Sequence, residues 1–148
     1  MNLLCTPYNS EMTAEQLHNL TQRWMREVWQ NRNLAALAEL HAPHFRDHSP
    51  AGRGTDLASY RAGVAELFAA FPDFVAVTED IVVDASARKT AVRWTASGSH
   101  KGVFIGASPT HKRVTFAGIE ILRFERGQIA ERWGEWDGLE IREQLTTP

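Results

Sequence analysis

The chain has 148 residues, 43% apolar and 23% charged, with a formal net charge of −2. That length suits one domain with a sizeable core, and the charge balance excludes the basic footprint of a nucleic-acid binder or a polybasic membrane signal. The single cysteine, Cys5, excludes an intrachain disulfide and fits a reduced, cytoplasmic setting, and no run approaches the roughly 18 apolar residues that span a bilayer. Residues 1–12, MNLLCTPYNSEM, lack the basic and apolar regions of a signal peptide. They are expected to form a loose tail ahead of one domain over 13–148. Thr13 and Gln16 match a capping box, and Leu17, Leu20, Trp24 and Val28 recur at helical spacing. They predict a long amphipathic helix over Thr13–Asn31. LAALAELHAP predicts a short second helix stopped by Pro43, and HFRDHSPAGRGT a Gly- and Pro-rich loop. Asp56 can cap a third helix with the apolar stripe Leu57, Tyr60, Val64, Leu67 and Phe68, ended by Phe71-Pro72-Asp73. Four strands follow, FVAVTEDIVVD, TAVRWTASGSHKG, RVTFAGIEILRF and QIAERWGEWD, with DASARK and ERGQ as tight turns. The tail GLEIREQLTTP fits a helical turn or a strand end equally well. Helices followed by hairpin-linked strands predict an α+β fold, with the helices on one face of an antiparallel sheet. A strongly bent sheet of this kind encloses a pocket suited to a small molecule.

One residue breaks the strand pattern. Val114, Phe116, Gly118, Glu120 and Leu122 share one face of their strand; Thr115, Ala117, Ile119, Ile121 and Arg123 share the other. Both faces are largely apolar, which predicts a central strand covered on both sides and a buried Glu120. Desolvation raises the pKa of a buried carboxylate, as a general acid or base near neutral pH requires. The alternative is a structural ion pair with Arg93 or Arg132. On the preceding strand, Trp94 and His100 share a face and could line the same cavity. His100 is then either a hydrogen-bonding group for a substrate oxygen or a strand-end histidine bonded to its own loop. Trp133, Glu135 and Asp137 fall on one face of the last strand, and Arg132, Gly134 and Trp136 on the other. Asp137 either caps the following turn or stands at the pocket mouth. His41, His44 and His48 have helical spacing, but Pro43 breaks the helix that would align them, so no metal site is assigned. No phosphate-binding glycine loop or nucleophile elbow is present.

FRDHSP, FPDF, VRWTASGSHKGVFIG, SPTHKRVTFAGIEILRFERGQIAERWGEWD and the late QL occur in an order that resembles the SnoaL-like polyketide cyclase family. The resemblance runs from about Thr13 to Leu145. It implies the cone-shaped α+β fold shared with nuclear transport factor two, a curved antiparallel sheet with N-terminal helices on its concave face. It also implies ring closure by intramolecular aldol chemistry without metal or cofactor. The family's acid/base aspartate falls at Glu120, which adds a methylene. The histidine of its G-T-H motif falls at His100, and its D-H pair at Asp47 and His48. A histidine before the late tryptophan is replaced by Arg132, and a glycine after P-T by His111.

The resulting expectation is a cofactor-independent enzyme acting on a carbonyl-bearing, cyclic or aromatic small molecule. Glu120 would remove a proton α to the carbonyl. His100, helped by His48, would hydrogen-bond the enolate oxygen. Trp94, Phe116 and Trp136 would shape the cavity, with Asp137 near its mouth. The alternatives are a non-catalytic small-molecule-binding protein and an interaction module of the same fold. In each case an open sheet face favours a homodimer.

Overall fold

The computed structural model describes residues 11–148, so Cys5 and most of the predicted tail lie outside the described residues. The first helix, α1 (Ala14–Trp24), starts at the predicted capping box. The Gln16 N–H donates to Thr13 Oγ1 (3.1 Å), and the Thr13 N–H donates to Gln16 Oε1 (2.9 Å). The helix then continues as a π-helical turn, Met25–Gln30, rather than as the regular helix expected. In an α-helix, residues five apart point about 140° away from one another. The wider π turn brings them round, and the rings of Trp24 and Trp29 meet edge-on at 5.5 Å. Two large aromatic side chains thereby face inward from adjacent turns.

After α2 (Ala36–Leu40) comes an element that the sequence pattern did not suggest. His41–Asp47 is a strand, β1, where the sequence predicted a proline-stopped helix running into a loop. Pro43 is tolerated because β1 lies at the sheet edge and its register shifts between His41 and Arg46. The third helix, α3 (Leu57–Ala70), is capped as predicted, with Asp56 accepting from the Ser59 N–H at 2.8 Å. β2 (Val75–Asp84), β3 (Lys89–Ser99), β4 (Arg113–Glu125) and β5 (Gln128–Trp136) follow the predicted strands closely. The undecided tail is a helix, α4 (Gly138–Thr146), whose cap is Asp137.

The five strands form one curved, open sheet in the order β1-β5-β4-β3-β2. All neighbours are antiparallel except β1 and β5, so the sheet is mixed rather than purely antiparallel. β4 is the central strand. Its inward residues Val114, Phe116, Glu120, Leu122 and Phe124 are all buried against the helical layer. The outward face departs from expectation: Ile119 is 51% and Ile121 41% exposed, beside Val77 and Val82 of β2 at 52% and 62%. The apolar pattern on both faces of β4 therefore marks one face that builds the core and one that this chain leaves uncovered.

Candidate active site

Between the concave face of the sheet, the π turn and α3 lies a cavity of about 120 Å³. Its walls are largely aromatic: Trp29, Tyr60, Phe74, Trp94, Phe104, Phe116 and Trp136 all line it. Trp94 and Phe116 pack edge-to-face at 5.7 Å, and Phe116 and Trp136 meet at 6.2 Å. Glycine shapes this wall, because a Cβ on Gly118, which pairs with Trp94 across the sheet, would collide with the indole ring. Glu120, Arg132 and Arg53 supply the charged part of the lining.

Glu120 and Arg132 reach each other because β4 and β5 are adjacent and Gly134 stands opposite Glu120. Any Cβ on Gly134 would strike both the Arg132 guanidinium and the Glu120 carboxylate. The bare backbone leaves room for Arg132 to fold across it. Arg132 Nη2 donates to Glu120 Oε1 at 3.1 Å, and Nε stands 2.6 Å from Oε2 in ion contact without hydrogen-bond alignment. The third nitrogen, Nη1, donates to Asp47 Oδ1 at 2.7 Å. Asp47, fully buried at the end of β1, also accepts from the Ser49 N–H (3.0 Å) and from Arg53 Nη2 (3.3 Å). One guanidinium thus serves two buried carboxylates. The Tyr60 ring covers it from the other side, with the guanidinium carbon 5.1 Å from the ring centre.

These contacts set the protonation states. Burial is the largest influence on Glu120 and raises its pKa above the ordinary value; the Arg132 charge, shared with Asp47, only partly opposes it. Burial alone would lower the pKa of Arg132, but Glu120 and its other partners outweigh this and keep it charged. Burial pushes the Tyr60 hydroxyl upward, so it stays protonated. His41 is 1% exposed and its pKa is lowered to about 4, chiefly by burial, so it is neutral at pH 7. Its Nδ1–H donates to the Leu37 carbonyl at 2.9 Å.

Residues 19–145 match the family model of the SnoaL-like polyketide cyclases. The chain belongs to that family. No curated protein matches its sequence. Among solved structures, TsrD from Streptomyces laurentii is similar to it at 23% identity and TM-score 0.81, over 92% of this chain and 98% of that one. IdmH from Streptomyces antibioticus, a candidate polyketide cyclase, shares 28% identity at TM-score 0.77, over 89% of this chain and 99% of its own. AclR from Streptomyces galilaeus, a candidate hydroxylase, shares 23% identity at TM-score 0.80, over 92% of this chain and 100% of its own. The SnoaL-like fold expected from the motifs is therefore the fold of this chain.

Within this SnoaL-like frame, Glu120, Trp94, Phe116 and Trp136 come together around the cavity. His100 and His48, expected beside Glu120, are not among its lining residues. His100 is buried at the end of β3 against Phe71. Its Nδ1 accepts from the Thr110 N–H at 3.1 Å, which puts the ring proton on Nε2, and it ties down the base of the 101–112 loop. His48 lies beyond the end of β1, stacked at 4.6 Å on Trp133 of the outward face and bonded to Glu131 at 2.9 Å. Asp137 accepts from the Glu140 N–H at 2.9 Å as the α4 cap, the role the strand-end reading offered as an alternative to the pocket mouth. His41, His44 and His48 do not converge: His41 is buried against Phe45, and His44 bonds Glu125. Among the described residues no group of three His, Cys, Asp or Glu side chains is placed to hold a metal ion.

Tyr60, Trp29 and Arg53 are contributors that the sequence reading misses. In sequence Tyr60 belongs to the apolar stripe of α3, yet a phenol on a buried stripe carries a hydroxyl that needs a partner, and that is the available signal. Arg53 comes from a loop with no pattern to place it.

Proposed function

We propose that this SnoaL-like protein is a cofactor-independent acid/base enzyme, acting on a carbonyl-bearing cyclic or aromatic small molecule by aldol-type cyclisation or related enolate chemistry. The observation that carries the reading is Glu120. It is a buried carboxylate with a raised pKa, lining an aromatic cavity, and Arg132 fixes its orientation. A base of this kind takes a proton from the carbon α to a carbonyl. The C–H electron pair forms the enolate C=C, and the carbonyl electrons move to oxygen. The aromatic walls hold a flat ring and exclude water, which strengthens every polar contact inside. IdmH, a candidate polyketide cyclase, supports the reading through a similarity that covers nearly the whole chain.

One observation favours a second reading, a non-catalytic binding protein of the same fold: Arg132 contacts both oxygens of Glu120. A single experiment separates the two. 2-Tetralone, a cyclic ketone with exchangeable α-protons, is incubated with the protein in D₂O and its α-proton signals are followed by NMR. The enzyme reading expects exchange faster than in buffer, reduced about 100-fold in Glu120→Gln, the usual scale for general acid–base catalysis. Exchange at the buffer rate, or an equally fast Glu120→Gln variant, would overturn it.

A further inference from the structure

Several residues that line the cavity carry a buried polar atom without a hydrogen-bond partner in the protein. Among the described residues, Tyr60 Oη, Trp29 Nε1 and Arg53 Nε are all buried without a hydrogen bond, and all three residues line the cavity. Each is a hydrogen-bond donor, and only Tyr60 can also accept. Glu120 Oε2 and Arg132 Nε, which also line it, answer each other as an ion contact. The residues lining the cavity therefore carry more unpartnered donors than acceptors. Buried polar groups are normally satisfied, and a cluster of exceptions calls for an explanation.

Tyr60 is 2% exposed and cannot swing outward. Its ring is held by Phe45 (5.3 Å), His41 (5.6 Å) and the Arg132 guanidinium (5.1 Å). Trp29 is held edge-on by Trp24 (5.5 Å) and Phe68 (5.8 Å), and it lies in the π-helical turn that carries it to the cavity wall. Turns of that kind are frequent at functional sites. Two rigid donors on different helices thus border the same cavity as Glu120.

We propose that Tyr60 and Trp29 are the oxygen-binding donors of this site, with Tyr60 hydrogen-bonding the oxygen on which negative charge develops when Glu120 removes a proton. The second half of this statement rests on the enolate reading above; the first half does not. In the step itself the proton passes from the α-carbon to the Glu120 carboxylate. The carbonyl oxygen gains the negative charge, and the Tyr60 O–H donates to it while keeping its own proton. Tyr60 thereby takes the place expected for His100, which lies outside the cavity lining. The ligand implied is a flat ring bearing at least one acceptor oxygen.

The test uses 2-naphthol, a flat ring with an enol-like hydroxyl oxygen, and naphthalene, the same ring without it, in fluorescence titrations of the full chain. Wild type should bind 2-naphthol about tenfold tighter than naphthalene, the scale of one well-placed hydrogen bond in a dry site. Tyr60→Phe should remove most of that preference and leave naphthalene binding within about twofold. Trp29→Phe, a second variant should the first fail to fold, should reduce the same preference. The thermal midpoint of Tyr60→Phe should hold or rise, because an unpartnered hydroxyl has been removed. Full preference retained in both variants, equal loss for both probes, or no binding of 2-naphthol would each overturn the proposal. The outcome is separable from that of the base reading. Glu120→Gln should keep the 2-naphthol preference even as it slows exchange of 2-tetralone about 100-fold, and wild-type exchange at the buffer rate with an intact, Tyr60-dependent preference would count against Glu120 alone.

Discussion

Replacing Arg132 by methionine and, separately, Glu120 by glutamine tests whether one guanidinium supports two carboxylates. In Arg132→Met, Glu120 loses its hydrogen-bond partner while remaining almost fully buried. Asp47 keeps the Ser49 N–H and the Arg53 contact. Breaking a buried pair from one side costs about 3–5 kcal/mol, and here that cost falls mainly on Glu120. In Glu120→Gln, by contrast, Arg132 keeps Asp47 at 2.7 Å. An amide oxygen can still accept from Nη2, so the loss is a charged bond exchanged for a neutral one, about 1 kcal/mol. Relief of the carboxylate's desolvation offsets part of this. The net change in Glu120→Gln should stay within about 1 kcal/mol. Urea midpoints at constant slope measure both. pH supplies a second signature. Without Arg132, the folded-state pKa of Glu120 rises further above its ordinary 4.5, so above that pH the folded state binds more protons than the unfolded chain. Stability of Arg132→Met should therefore fall as pH rises from 5 to 8. If Glu120→Gln costs as much as Arg132→Met, the shared-guanidinium reasoning is wrong and Glu120 is a structural anchor rather than a base.

Gly134→Ala should destabilise by about 1–3 kcal/mol, since the new methyl meets both members of the ion pair; a neutral result in chemical denaturation would mean that the pair does not need the open backbone. His41 is neutral in the fold, with a pKa near 4 against an ordinary 6.5, so stability should drop as pH falls through that window, by up to about 3 kcal/mol. His41→Gln should flatten this part of the pH profile, and an unchanged slope would remove His41 from the account. The uncovered face of the sheet, with Ile119, Ile121, Val77 and Val82 exposed, is proposed to pair with a second copy. Light scattering should then give twice the 16.6 kDa chain mass, reduced to one chain in Ile121→Glu.

The elements whose signals are local were legible in the sequence. Thr13 with Gln16, and Asp56 ahead of its apolar stripe, specify helix starts because the capping contacts reach only three residues. The alternation from Val114 to Phe124 placed Glu120 on the buried face because strand side chains repeat every two residues. The motif order supplied the SnoaL-like family and, with it, the curved sheet. The rest depends on contacts that no local window contains. β1 becomes a strand only by lying parallel to β5, and the Arg132–Asp47 contact that this allows joins residues 85 positions apart. The outward face of β4 is apolar yet exposed, and apolar alternation by itself cannot tell a covered face from an uncovered one. Tyr60 and Trp29 look like ordinary core aromatics in sequence. Only the tertiary structure, through a π turn and the convergence of two helices on one sheet, brings both residues to the cavity that Glu120 lines and leaves His100 outside its lining, which is why the proposed oxygen-binding group is Tyr60.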